Sequence, residues 1–266
     1  MRRICGWLMM ALTGGVLGGL AGCKSGNTDR QGQATEKAAN TGRPTAPLDP
    51  ATLGTVSGTI QLSGKPPAPV KIDMSMDPVC SITGGDNFSE QYVVHDGKLA
   101  NVYVYIKGGP PPAISATAPI RAPVVMDQVG CKYVPHVIAL MRGGSVEFRN
   151  SDGTMHNIHT LPALEVSQPI DISQGPKGSP QIKQFNQPEI MLPVRCNNHP
   201  WMNAFINVSA TPFFAVTDAD GHFNISGLPA GAYTLAAVHE KLGEQTMMVT
   251  VEPKGTSKAD FNFSVK

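Results

Sequence analysis

The chain has 266 residues, 41% hydrophobic and 15% charged, with a formal net charge of +1 when histidine is neutral. That balance leaves no basic field for nucleic acid and no acidic field for a strongly cationic partner. The length suffices to bury a real core, in one large domain or two modest ones.

Arg2 and Arg3 precede an apolar, Gly-rich run from Trp7 to Leu20, and the run ends at Leu20-Ala21-Gly22-Cys23. A positive start, a short apolar stretch and small residues before a cleavage point read as a secretory signal over residues 1–22. The stretch is too short and too weakly apolar to span a bilayer comfortably. Its end resembles the lipobox of bacterial lipoproteins, which implies acyl chains on Cys23 and a stable membrane anchor. Lys24 rather than Asp in the next position favours the outer membrane, whose periplasmic side is expected over the inner membrane or the cell surface. Residues 23–50 hold almost no large apolar side chains and read as a disordered tether, with a reach of roughly 30 Å.

From residue 54 onward the pattern is β. Residues 55–62 alternate and stop at Gly64-Lys65-Pro66-Pro67. Residues 92–94 run into the turn at 95–98, residues 101–107 alternate again, and 108–112 break the chain. Residues 137–141 and 145–149 read as strands joined across Gly143-Gly144. Residues 161–188, rich in Pro, Gln, Ser and Gly, read as a surface excursion, and 185–194 lead into a Cys-containing loop. Five short strands follow: 213–217, 222–225, 233–238, 245–251 and 261–265, with Asp220-Gly221 expected as a type I′ hairpin turn. No stretch carries a helical period long enough for a major helix. Short strands with frequent turn signals predict an all-β protein of sandwiches or barrels. The expected division is a first domain over 51–210 and a small second sandwich over 211–266, packed on the first because it would be marginal alone.

Cysteine use points to chemistry. Cys5 leaves with the signal and Cys23 carries lipid. Cys80 and Cys131, in an oxidising compartment, are expected to form a disulfide, two free buried thiols being the alternative. Neither has zinc-finger spacing to a second Cys or His. Cys196 lies in Arg195-Cys196-Asn197-Asn198-His199-Pro200-Trp201-Met202, so a thiolate, an imidazole and a thioether share one short loop. Upstream, Met155-His156-Asn157-Ile158-His159 can supply a second imidazole. Two His, one Cys and a weak axial Met suit a blue-copper centre.

Residues 135–208 resemble the cupredoxins, the plastocyanin and amicyanin group. The carriers are Gly144-x-Val146-x-Phe148-x-Asn150-x-Asp152 with His156-Asn157, and the Cys196-x2-His199-x2-Met202 loop. The resemblance implies a Greek-key β-sandwich with one type 1 copper on His156, Cys196, His199 and Met202. It gives Asn157 a supporting role, its N–H toward the Cys196 sulfur and its side chain bracing the ligand loops. It also puts His199 at the surface as the electron port, flanked by Pro200 and Trp201, with Met155 as rim. His159 is expected on the opposite face of its strand from His156, and His136 as a structural residue at a strand entry. Residues 213–265 resemble the carboxypeptidase-regulatory or transthyretin-like sandwich, through Thr217-Asp218-Ala219-Asp220-Gly221-His222-Phe223 and Gly227-Leu228-Pro229-Ala230-Gly231-Ala232-Tyr233. Relatives with both modules often carry Trp-His-Glu where this chain has Val238-His239-Glu240.

Together these readings predict a monomeric, lipid-anchored one-electron carrier that serves redox partners such as a cytochrome or dehydrogenase. No enzyme signature is found: Gly-x-Ser-x-Gly is absent and His239-Glu240 lacks the second His of a zinc-protease motif. The alternatives are an envelope copper protein for buffering, delivery or sensing, and a surface interaction module with an incidental copper site. The twelve Met are scattered rather than clustered, which disfavours the first.

Overall fold

Alternation along Leu53–Ser63 buries Val56, Ile60 and Leu62 on one side, and this strand organises half of the molecule. It pairs antiparallel with His222–Pro229 and parallel with Thr256–Lys258 and Phe261–Ser264. Through Gln61 it also meets Lys98–Leu99, which pairs with Val94–His95. Gly58 is required here: a Cβ on it would lie 1.9 Å from the Ala259 carbonyl oxygen. A second sheet runs in the order Phe214–Val216, Tyr103–Gly108, Gly231–His239, Gly243–Val251, all antiparallel. Both sheets contribute to one core that includes Val56, Ile60, Val104, Ile106, Tyr233 and Leu235. The structure, a computed structural model, describes residues 48–265. The expected signal peptide, Cys23 and most of the tether lie outside the described residues.

The other half is a separate pair of sheets. One has the order Asp171–Gln174, His156–Thr160, Glu189–Arg195, Asn203–Ser209, Val137–Met141, the last pairing parallel. The other has the order Gln181–Gln184, Ser145–Asn150, Val124–Gln128, Tyr133–Val134. Met126, Tyr133, Phe148, Ile158, Val194 and Ile206 belong to their shared core. The molecule is all-β, and its two described α-helices are only six and four residues long.

The sheets do not follow the expected division at residue 210. The span 51–210 contains Leu53–Ser63 and Tyr103–Gly108, yet both are strands of the second sandwich. Residues 124–209 are therefore an insertion between two neighbouring strands of that sandwich, Tyr103–Gly108 and Phe214–Val216. The reason is physical: alternation tells which face of a strand is buried but not which strand pairs with it. The same limit explains two turns. Val137–Met141 and Ser145–Asn150 lie in different sheets, so Gly143-Gly144 is a crossover. Phe214–Val216 and His222–Pro229 also lie in different sheets, and of the Asp220-Gly221 pair only Gly221 has positive φ, at 68°. A type I′ turn needs both. The presumed surface excursion contains the strands Asp171–Gln174 and Gln181–Gln184, whose polar composition hides them from pattern reading.

Between Ser63 and Tyr92 the chain leaves its own sandwich and lies across the inserted one, contributing Met74 and Cys80 to that core. The short helix Pro78–Thr83 starts there because Asp77 caps it. Its Oδ1 accepts the N–H of Val79 at 2.7 Å and of Cys80 at 3.1 Å, and Pro78 occupies the first turn. Cys80 and Cys131 are joined by a disulfide.

Candidate metal centre

Two paired antiparallel strands, Glu189–Arg195 and Asn203–Ser209, end and begin on either side of residues 196–202. The loop between them is thus a strand connection, which Pro200 helps to break. It is closed internally by Met202 N–H to His199 O at 2.9 Å and Cys196 N–H to Met202 O at 3.4 Å. The second arm begins where Ser145–Asn150 turns into His156–Thr160. Asn150 shapes that turn by donating to the carbonyls of Thr154 (2.9 Å), Gln174 (3.1 Å) and Gly175 (2.9 Å).

These two arms bring His156, Cys196 and His199 together, with one nitrogen or sulfur of each within 4.8 Å of the others, a group able to hold a metal ion. His156 Nδ1 lies 3.0 Å from His199 Nδ1, and Cys196 Sγ lies 3.5 Å from the same His199 nitrogen. Exposure is 0% for His156, 4% for Cys196, 3% for His199 and 2% for Met202. Cys196 is the free cysteine among the described residues. Asn157 donates its N–H to Cys196 Sγ at 3.3 Å. Its side chain donates to Asp171 Oδ1 and Ile172 O and accepts from Asn197 N–H, tying the two arms to a neighbouring strand.

Two carboxylates orient the imidazoles. Asp152 Oδ2 lies 2.9 Å from His156 Nε2 and also accepts the Cys131 N–H, while Asp152 Oδ1 accepts from Gly130 N–H. Asp77 Oδ2 lies 3.1 Å from His199 Nε2 and accepts from Thr154 Oγ1 at 2.8 Å. A carboxylate only accepts, so each Nε2 carries its proton and each Nδ1 faces the cluster.

The electrostatics follow from these contacts. Burial alone would raise the Cys196 thiol, but bonds from His156 and the Asn198 and Asn157 N–H groups outweigh it and bring the pKa down to about 6. Burial works against a charged His156, yet Asp152 and the Cys196 sulfur overcome it and lift that pKa to about 9. Asp77 is held down to about 2, because its bonds from Thr154, Cys80, His199 and Val79 outweigh burial. The Cys196 and His156 shifts both run in the direction that favours thiolate and charged imidazole in the metal-free site. A metal needs the thiolate, which these contacts favour, and a neutral imidazole, so its binding would displace the extra proton that they favour on His156.

One expectation is overturned. His199 was to reach the surface, but at 3% exposure it lies under the 64–91 segment, with Asp77 on its Nε2 and Cys80 Sγ 3.9 Å away. Met155 is 49% exposed and Trp201 is half-buried, its ring 5.0 Å from that of His199. His159 stands outside the cluster, its Nδ1 2.9 Å from Asn197 Oδ1. His136 is buried and pairs with Glu240 at 2.6 Å, a contact between the inserted sandwich and the other one. Asp77 and Asp152 were missed as site residues. Asp152 was visible inside the strand motif before His156, whereas nothing in the sequence connects Asp77 to a residue 122 positions away.

The family model of the carboxypeptidase regulatory-like domain matches residues 195–264, well under half of the chain. The match starts at Arg195, the residue before the metal loop, and covers much of the second sandwich but not its Leu53–Ser63 and Tyr103–Gly108 strands. No curated protein matches the chain. Among solved structures, the Cu(I) form of an amicyanin variant is 20% identical with a TM-score of 0.30, covering 40% of this chain and 98% of that one. A purple cupredoxin from Nitrosopumilus maritimus is 18% identical with a TM-score of 0.28, covering 32% and 99%. A copper-containing nitrite reductase from Thermus scotoductus SA-01 is 25% identical with a TM-score of 0.31. That match covers 35% of this chain, which spans about a quarter (24%) of the reductase.

Proposed function

We propose that the protein is a type 1 copper protein that passes single electrons between redox proteins at a bacterial envelope membrane, held there by lipid on Cys23. The observation that carries this reading is the buried, unbonded Cys196 sulfur, with the imidazoles of His156 and His199 grouped beside it and a backbone N–H on it. The donors fit copper. A thiolate and a thioether suit Cu(I), imidazole suits both oxidation states, and three of the four sit on one rigid loop. Copper bound by His156, Cys196, His199 and Met202 would supply exchange of one electron between Cu(I) and Cu(II).

The residues do the rest. Asn157 pins both ligand arms, the two carboxylates fix both rings, and burial of all four donors excludes water. Such a site changes little when its charge changes, which favours electron exchange over substrate binding. With His199 covered, the exit in this reading is the edge beside Trp201 and Pro200, where a cytochrome or dehydrogenase would dock on the monomer. The test is to load the protein with one equivalent of Cu(II) and record visible and EPR spectra. An intense sulfur-to-copper band with narrow hyperfine splitting is expected, and Cys196→Ala should abolish it. A pale, tetragonal signal, or the same spectrum without Cys196, would overturn the reading.

A further inference from the structure

The cover over His199 comes from elsewhere in the molecule, and one side chain ties it to the ring. Asp77 uses both oxygens: Oδ1 caps the helix Pro78–Thr83 through the Val79 and Cys80 N–H groups, and Oδ2 accepts from Thr154 Oγ1 and His199 Nε2. The disulfide to Cys131 fastens the same helix to the inserted sandwich. The arrangement is matched on the other ring. Asp152 holds His156 and the backbone N–H of Cys131, just as Asp77 holds His199 and the backbone N–H of Cys80. Each imidazole is thus linked through a carboxylate to one half of the cystine. At the contact the Asp77 side chain is 17% exposed and that of His199 4%.

We infer that Asp77 is the positioning residue of His199. Its carboxylate fixes the ring in the Nε2–H form with Nδ1 toward Cys196, and the disulfide-tethered helix closes the site to outside ligands. The inference rests on the copper reading for its purpose but not for its geometry. An unanchored imidazole can rotate away from the metal and be replaced by another ligand, whereas an anchored one under a tethered helix cannot. The centre then trades electrons through bonded and packed groups and does not open its coordination shell.

The experiment uses the full chain in two states. In metal-free, 15N-histidine-labelled protein, long-range proton–nitrogen spectra at neutral pH should show His199 protonated at Nε2 with slow exchange of that proton. Asp77→Ala should lose this signature. Asp77→Asn, which keeps one oxygen for the helix cap, turns an NH2 donor toward His199 Nε2; it should retain the fold yet exchange the Nε2 proton at least about tenfold faster, because that N–H has lost its acceptor. In copper-loaded protein, added imidazole or azide at millimolar concentration should leave the wild-type spectrum unchanged. It should shift the spectra of Asp77→Ala and of the Cys80→Ser/Cys131→Ser double variant. Unaltered Nε2–H exchange in Asp77→Asn, or an Asp77→Ala protein as resistant to imidazole as wild type, would overturn the inference. If wild type shows the tautomer but binds no copper in a blue form, the metal reading fails and the positioning role stands.

Discussion

His239 carries the clearest consequence of burial at a single residue. It is 1% exposed, its Nδ1 accepts the Lys241 N–H, and its Nε2 has no partner among the described residues. Burial, aided by His136 and Lys241 and opposed by Glu240, pushes its pKa down to about 4. The ring is therefore neutral in the fold, while the unfolded chain takes up a proton below 6.5. Its contribution is full above pH 6.5 and is lost as pH falls through 4, at most about 3 kcal/mol. Urea denaturation of copper-free protein from pH 7 to 4 should thus show wild type losing about that much more than His239→Gln. Parallel curves would disprove it. At this scale the sequence was legible where donors are neighbours: Cys196, His199 and Met202 share one loop, so spacing suffices. The carboxylates at 77 and 152 act through space, and only Asp152 is near its histidine in the chain.

Among the elements, the disulfide-bonded segment is the one whose role is most directly measurable. Cys80 and Cys131 are 51 residues apart, and closing a loop of that size removes unfolded-chain entropy worth about 4 kcal/mol. The Cys80→Ser/Cys131→Ser variant should fall in stability by about that amount in copper-free denaturation. A loss below about 1 kcal/mol would mean that packing of Met74 and the helix alone holds the segment in place. Strands with alternating apolar residues, such as Leu53–Ser63 and Gly231–His239, were readable because one face is buried. Asp171–Gln174 and Gln181–Gln184 were not, because each is a polar edge strand with a single neighbour and little apolar face to reveal it.

In the whole molecule, the insertion decides how the two halves depend on each other. A chain ended at residue 210 would lose His222–Pro229, Gly231–His239 and the strands beyond, leaving Val56, Ile60, Leu62, Val104 and Ile106 without their partners. Such a chain should aggregate or be cleaved rapidly within residues 53–108, while the full protein resists. A soluble truncated protein that protects those residues from protease would contradict this topology. The buried His136–Glu240 contact adds a second link between the sandwiches, joining the loop before Val137–Met141 to the residue after Gly231–His239.

The sequence by itself determined what local forces control. It specified an all-β class without a major helix, the spacing of thiolate, imidazole and thioether, and the cystine left over once the other cysteines had been assigned. Periodicity and ligand spacing act within a few residues, so one chain suffices to read them. Only the tertiary structure decided that one sandwich is inserted in the other and that a carboxylate under a tethered helix covers His199. Those outcomes depend on pairings such as Leu53 with Pro229 and contacts such as Asp77 with His199. Burial selects such partners across more than a hundred residues, and no local pattern records the choice.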